Sequence, residues 1–295
     1  MNRTLATRTL TVAAAVAALG VTSACGSTNG SSGTTAAATT GADGLTTVNV
    51  AVVPALPAAG LYLGVEKGIF KKHGLDVKTQ AAQSGAAEVA LALNGQIQAG
   101  FISTVVLGLS VARGVPVEMV APADVVHTPS YGGVVTKDAS IAKPANLSGH
   151  TVAVNALGGV DELMLRETVK EDGGDPSKIK FVEVPYPQMQ AAVEAQRVDA
   201  AVATTPFFES AIKAGALNPF PVPTGVGGDG ALVSGYFMTK EYAKANPAIA
   251  KKFSEAMLET NVYAEAHPDE IRSTIPSYTE IPADVLANIP LPKFA

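Results

Sequence analysis

Sliding the chain against itself by a little over 100 residues brings three segments into register at nearly one offset. That internal repeat constrains the fold more than any single motif. "VNVAVVPALPAAG" aligns with "HTVAVNALGGVDE", each a strand, a loop of small residues and a helix start. "LDVKTQAAQSGAAEVALALNGQIQAGFISTVVLGLSVARG" aligns with "IKFVEVPYPQMQAAVEAQRVDAAVATTPFFESAIKAG". In both copies a strand leads to a helix and a turn, then to a strand ending in two hydroxyls, Ser103-Thr104 and Thr204-Thr205. Each copy closes on a helix running to a glycine, Gly114 or Gly215, the residue that a left-handed helix cap favours. Helices alternating with short β-rich runs require crossover connections. The expected fold class is therefore α/β with two lobes, each a mostly parallel sheet flanked by helices, and a ligand cleft between them. The segment from Ser234 onward is not a third copy and is expected to return to the first lobe. Lobe 1 is then 47–125 with 233–295, and lobe 2 is 126–232.

The N-terminus is a separate object. Arg3 and Arg8 precede the apolar run "LTVAAAVAALGV", which has signal-peptide length and is too short to span a bilayer. It ends in "VTSAC", similar to the lipobox of bacterial lipoproteins, with Thr22 where that motif usually has leucine. Residues 1–24 are read as a signal peptide, with cleavage before Cys25 and lipidation of its sulfur, and 25–46 as a flexible tether without large apolar residues. An ordinary signal peptide leaving a free thiol is the alternative. Loss of Arg3 and Arg8 leaves 19 basic against 26 acidic residues, and the basic ones are dispersed, so a nucleic-acid surface is excluded.

In open α/β sheets ligands lie beyond the carboxyl ends of the strands, where loops meet helix N-termini. The candidate linings in lobe 1 are Leu56 and Pro57, Ser84 and Gly85, and Ser103 and Thr104. Lobe 2 offers Leu157, Gly158 and Gly159, then Gln188, then Thr204 and Thr205; Ser234 and Tyr236 and, at the lobe crossover, His127 complete the set. None of these carries a fixed charge, and helix starts with free N–H groups favour anions. The loop "NALGGVDEL" lacks both the GxGxxG spacing and a P-loop lysine. Gly158 and Gly159 could equally turn the chain, with Asp161 and Glu162 stabilising the first helical turn. No metal site, cofactor motif or nucleophile elbow is present in the sequence: His73, His127, His150 and His267 form no HExxH, Cys25 is the single cysteine, and no G-x-S-x-G occurs. His73 and His267 are expected to be solvated.

The segments "GLYLGVEKGIFKKHGLDV", "SGAAEVALALNGQI", "VARGVPVEMVA", "DASIAKPANLSGHTVAV", "PQMQAAVEAQRVDAAV" and "ANPAIAKKFSEAM" resemble ABC-transporter substrate-binding proteins of the sulfonate, nitrate and taurine group. That group is related to binders of the thiamine pyrimidine precursor. The resemblance implies a type II periplasmic-binding fold with ligand in the interlobe cleft, and a monomeric capture subunit rather than an enzyme. Its partners would be a small-molecule ligand, an anion or small heterocycle, and a membrane permease with its ATPase. Thr205-Pro206 stands where many members have Glu-Pro, which removes a negative charge near the expected cleft and favours an anionic or neutral ligand. The chain ends at "IPLPKFA", where members commonly continue through a further helix. Two alternatives share the fold: an extracytoplasmic enzyme acting on a small heterocycle, and a ligand-sensing partner of a membrane receptor. The enzymes related to the group rely on cysteine motifs absent here.

Overall fold

The structure is a computed structural model describing residues 41, 44–127, 132–215, 217–222 and 229–295. The signal peptide, Cys25 and most of the tether expected for 1–46 lie outside the described residues.

The first repeat builds β1 (Thr46–Val52), α1 (Ala59–Glu66), α2 (Ile69–Lys72), β2 (Leu75–Ala81), α3 (Gly85–Leu93), β3 (Ala99–Ser103) and α4 (Thr104–Ala112), followed by β4 (Val117–Val125). The chain then forms β5 (Gly132–Thr136), and the second repeat supplies β6 (Thr151–Val154), α5 (Val160–Glu171), β7 (Lys180–Glu183), α6 (Tyr186–Glu194), β8 (Ala200–Thr204), α7 (Phe207–Lys213) and then β9 (Leu217–Pro221). The remainder runs through β10 (Leu232–Thr239), α8 (Lys240–Ala245), α9 (Pro247–Ala266), α10 (Pro268–Thr274), α11 (Pro276–Thr279), α12 (Ala283–Leu286) and β11 (Lys293–Phe294).

Two sheets result, with orders β11-β4-β10-β3-β1-β2 and β7-β6-β8-β5-β9. The repeat is visible in the pairing: β1 lies parallel between β2 and β3, and β6 lies parallel between β7 and β8. Beside each parallel trio runs one antiparallel strand, β10 against β3 and β5 against β8. These are the strands that follow a passage between the sheets, after β4 and after β9. A strand arriving from the other sheet enters from the opposite end, so each sheet is mixed.

Val48, Val50, Ala51 and Val52 of β1 are all buried, as are all five residues of β8, because helices cover both faces of each sheet. Helix α9 buries Phe253, Ala256, Met257, Thr260, Asn261 and Ala264, three or four residues apart, and so presents one stripe to the core. Asn261 donates from Nδ2 to Pro122 O at 3.2 Å and to Ala295 O at 2.8 Å, fastening the last residues to β4. The second sheet has its own cluster around Val134, Ile141, Leu147, Val152 and Leu165. Among the described residues no helix is long and apolar enough to cross a membrane.

Candidate ligand-binding cleft

A cavity of about 90 Å³ lies between the carboxyl ends of the two parallel trios. At roughly 10–15 Å³ per water-sized occupant, it suits a small solute and no polymer. The first repeat contributes Pro57, Gly85, Phe101, Ile102, Ser103 and Val106 to its wall, and the second contributes Asn155, Gly159, Asp161, Tyr186 and Thr204. Asn155, at the end of β6, also donates from Nδ2 to Gln83 O at 2.9 Å, so one hydrogen bond crosses from the second repeat to the first beside the cavity.

Of the residues the sequence singled out, Pro57, Gly85, Ser103, Gly159 and Thr204 lie on this wall. The others are placed elsewhere, for reasons of side-chain direction. Successive strand residues point to opposite faces, so one hydroxyl of each repeated pair faces the cavity and the next faces away. Thr104 donates from Oγ1 to Leu232 O and Val233 O, both at 3.1 Å, and ties the start of α4 to β10. Thr205 is fully buried and donates from Oγ1 to Glu209 Oε1 at 2.8 Å. Leu56 is fully buried in the core. Ser84 caps α3, and Ser234 donates from Oγ to Asp124 Oδ1. Tyr236 is sealed between Phe101 and Phe253, with centroids 5.6 and 5.7 Å away. Gln188 is exposed on α6, and His127 is half-buried and off the wall.

Leu157 and Gly158 form an exposed rim. Gly158 takes φ +70, a conformation glycine adopts without strain. A Cβ there would sit 3.7 Å from Leu109 Cδ1 of α4, so the rim of one repeat faces the other across the cleft mouth. The two histidines expected to be solvated have partners: His73 Nε2 lies 2.9 Å from Glu259 Oε2, and His267 stacks on Tyr263 at 3.9 Å.

Helices α3, α4, α5 and α6 begin at the cavity; α6 starts at Tyr186 without a side-chain cap, and the first three are each met by a group of the protein. The Ser84 hydroxyl accepts from Ala87 N at 3.4 Å on α3, and the Ser103 hydroxyl accepts from Val106 N at 3.3 Å on α4. Helix α5 has no side-chain cap at Gly159 and carries Asp161 and Glu162 in its first turn instead. Glu162 Oε2 accepts from Gly158 N at 2.9 Å, and its Oε1 accepts from Arg166 Nε at 2.8 Å.

Asp161 is the residue that sequence reasoning treated only as a helix stabiliser. Its Oδ2 accepts from the Tyr186 hydroxyl at 2.9 Å and from Asn155 N at 3.4 Å, and its carboxyl lies on the cavity wall. Burial pushes this carboxyl up to about 6; the bonds from Tyr186 and Asn155 pull the other way. The cleft therefore carries an ionisable acid that the sequence-derived lining lacked. Asp161 follows two glycines at the end of a β-rich run, and a helical first-turn acid beside a strand's carboxyl end is the signal that marks it. Among the described residues no cluster of His, Cys, Asp and Glu could hold a metal ion.

A second cavity of about 210 Å³ lies behind Tyr186, between α6, α7 and the 279–281 segment. Its lining includes Tyr186 and Pro187 at the start of α6 and Phe207 at the start of α7, with Ala203 of β8.

The chain matches the taurine-binding periplasmic protein of Escherichia coli with 25% identity over 199 residues, covering 68% of this chain and 61% of that one. It matches the formylaminopyrimidine-binding protein of Halalkalibacterium halodurans with 28% identity over 144 residues, 49% and 42% of the two chains. The match thus spans less than two thirds of either relative. The solved alkanesulfonate-binding protein from Xanthomonas axonopodis pv. citri, bound to MOPS, superposes with a TM-score of 0.70 at 16% identity, covering 84% of this chain and 86% of that one, and shares the two-lobe fold. A family model described as NMT1/THI5 like matches residues 57–271. The chain belongs to the NMT1/THI5-like family.

Proposed function

We propose that the chain is an extracytoplasmic solute-binding protein, the capture subunit of an ABC importer. The observation that carries this reading is the symmetry of the cleft: Ser103 and Thr204, the same position of the two repeats, line one cavity, and Asn155 bridges to Gln83 beside it. A solute touching both walls adds contacts that exist only when the lobes are together, so it stabilises the closed form by its differential affinity. The taurine-binding and formylaminopyrimidine-binding relatives support a small polar solute. Delivery would be to a membrane permease driven by a separate ATPase, with a lipidated Cys25 holding the monomer at the membrane face. Acyl chains contribute about 0.8 kcal/mol per buried methylene, so Cys25→Ser is expected to move the protein from the membrane to the soluble fraction without altering solute affinity.

The test is a thermal-shift screen of the purified chain against sulfonates, inorganic anions, amines and small nitrogen heterocycles. A ligand at 100 times its dissociation constant stabilises a fold by about 2.7 kcal/mol. A saturable hit recovered unchanged supports capture, whereas chemical conversion of the hit overturns it in favour of an enzyme.

A further inference from the structure

Asp161 carries an inference that deepens, and rests on, the solute-binding reading. Asp161 lies on a wall that also includes Phe101, Ile102, Val106 and Tyr186, with Asn155, Ser103 and Thr204 as further polar residues. Asp161 is half-buried, and a carboxylate partly withdrawn from water gains from a donor or a positive charge beside it. The protein satisfies one of its oxygens only. Oδ2 receives Tyr186 and Asn155, while Oδ1 has no hydrogen-bond partner among the described residues.

The surrounding charges do not fill that position. No lysine, arginine or histidine lines the cavity among the described residues. On its own helix the neighbouring Glu162 is engaged by Gly158 N and Arg166, and Glu183 at the end of β7 accepts from Leu157 N at 3.5 Å on the rim. From α6 only the Tyr186 hydroxyl reaches Asp161, and the facing ends of β3 and α4 bring no charge. The N-termini of α3 and α4 each carry one serine cap, that of α5 holds two acids, and α6 begins at Tyr186 on the wall without a side-chain cap.

We infer that Asp161 is the specificity-determining residue of the cleft, and that the solute it selects presents a protonated or N–H-bearing nitrogen, of ammonium or amidinium type, to the Asp161 carboxyl. An amidinium-type edge offers two parallel N–H donors to a carboxylate, and an ammonium offers one strong charge-assisted bond. The apolar and aromatic remainder of the wall receives the body of the solute.

The experiment uses the full chain, wild type and Asp161→Asn, at pH 7.5, with titration calorimetry. The probes are acetamidine, 4-aminopyridine and taurine on one side, and nitrate, methanesulfonate and isethionate on the other. Isethionate replaces the ammonium of taurine by a hydroxyl and keeps its sulfonate. The expected result is that nitrogen-bearing probes bind the wild type, that taurine binds at least tenfold tighter than isethionate, and that Asp161→Asn removes this preference. Binding of the anions to both proteins, equally or more tightly in Asp161→Asn, overturns the inference and leaves the solute-binding reading standing. Failure of every probe with the folded wild type overturns both. If Asp161→Asn does not fold, Asp161→Ser, which keeps an acceptor without charge, is read in the same way.

Discussion

Glu88 and Asp161 stand near the starts of the two helices, α3 and α5, that open on the cleft from opposite repeats, and burial pushes both carboxyls up. Their surroundings differ in one respect that separates structure from function. Glu88 is fully buried: Oε1 accepts from Val53 N at 2.8 Å, and Oε2 faces the core, where a Cβ on Gly100 would lie 3.0 Å from it. Asp161 also holds a neighbour in place, through Tyr186, but it is half-buried and lines the cavity. The lesson is that a raised carboxyl does not by itself mark a site. Whether its last hydrogen-bonding position faces the core, as Glu88 Oε2 does without a partner among the described residues, or a cavity decides whether the group supports a wall or faces a ligand. Glu88 belongs to the first kind, because Val53, which it holds, is itself on the wall.

The comparison breaks most visibly at Glu88. Glu88→Ala leaves the Val53 amide orphaned and a void behind β1, and is expected to cost about 2–4 kcal/mol in urea unfolding. Full stability of this variant together with lost solute binding would reverse the two assignments. Asp161→Asn is expected to act in the opposite direction on the ligand-free protein. The folded value near 6 lies above the ordinary aspartate value of 3.8. The contribution of Asp161 is thus fully present below the unfolded value and is lost as pH rises through about 6. Removing the charge should therefore stabilise the fold at pH 7.5 by about 1–2 kcal/mol, and flatten the fall in stability between about pH 4 and 7. Urea midpoints at the two ends of that range check it; an unchanged slope would place the carboxyl in solvent and out of the comparison.

The repeat made the two-lobe α/β fold legible, because β1 and β6, with their parallel partners, carry the same order of buried and turn residues. Of the loops it singled out, Pro57, Gly85, Ser103, Gly159 and Thr204 line the cavity. What it could not supply was direction within a loop. Thr104 and Thr205 are each one residue past a wall hydroxyl, and a single step along the chain turns them toward β10 and Glu209. Tyr236 was chosen as an aromatic near the cleft, yet its strand is covered on both faces, so its ring enters the core. The replacement of Glu by Thr at 205 argued for an anionic or neutral ligand. Asp161 restores an acid from a different helix, and only the fold brings that helix to the wall.

Smaller changes sharpen the contrast between the walls. Asn155→Ala removes the hydrogen bond to Gln83 O that joins the repeats beside the cavity. A bond of this kind contributes about 1 kcal/mol, so solute affinity should weaken about fivefold while the unfolding slope is kept. An unaltered affinity would mean that closure does not use this contact. Ser103→Ala tests the other half of the argument. Ser103 accepts from Val106 N and so occupies the start of α4 with a group of the protein itself. Its loss should lower stability by about 0.5–1 kcal/mol and expose a helix N-terminus to the cavity, which favours negative charge. If the cleft excludes bare anions because its helix starts are already satisfied, nitrate and methanesulfonate should bind Ser103→Ala a few-fold more tightly than the wild type. If they do not, the exclusion comes from the Asp161 carboxyl alone, and the capped helices of the first repeat serve only to hold its wall in place.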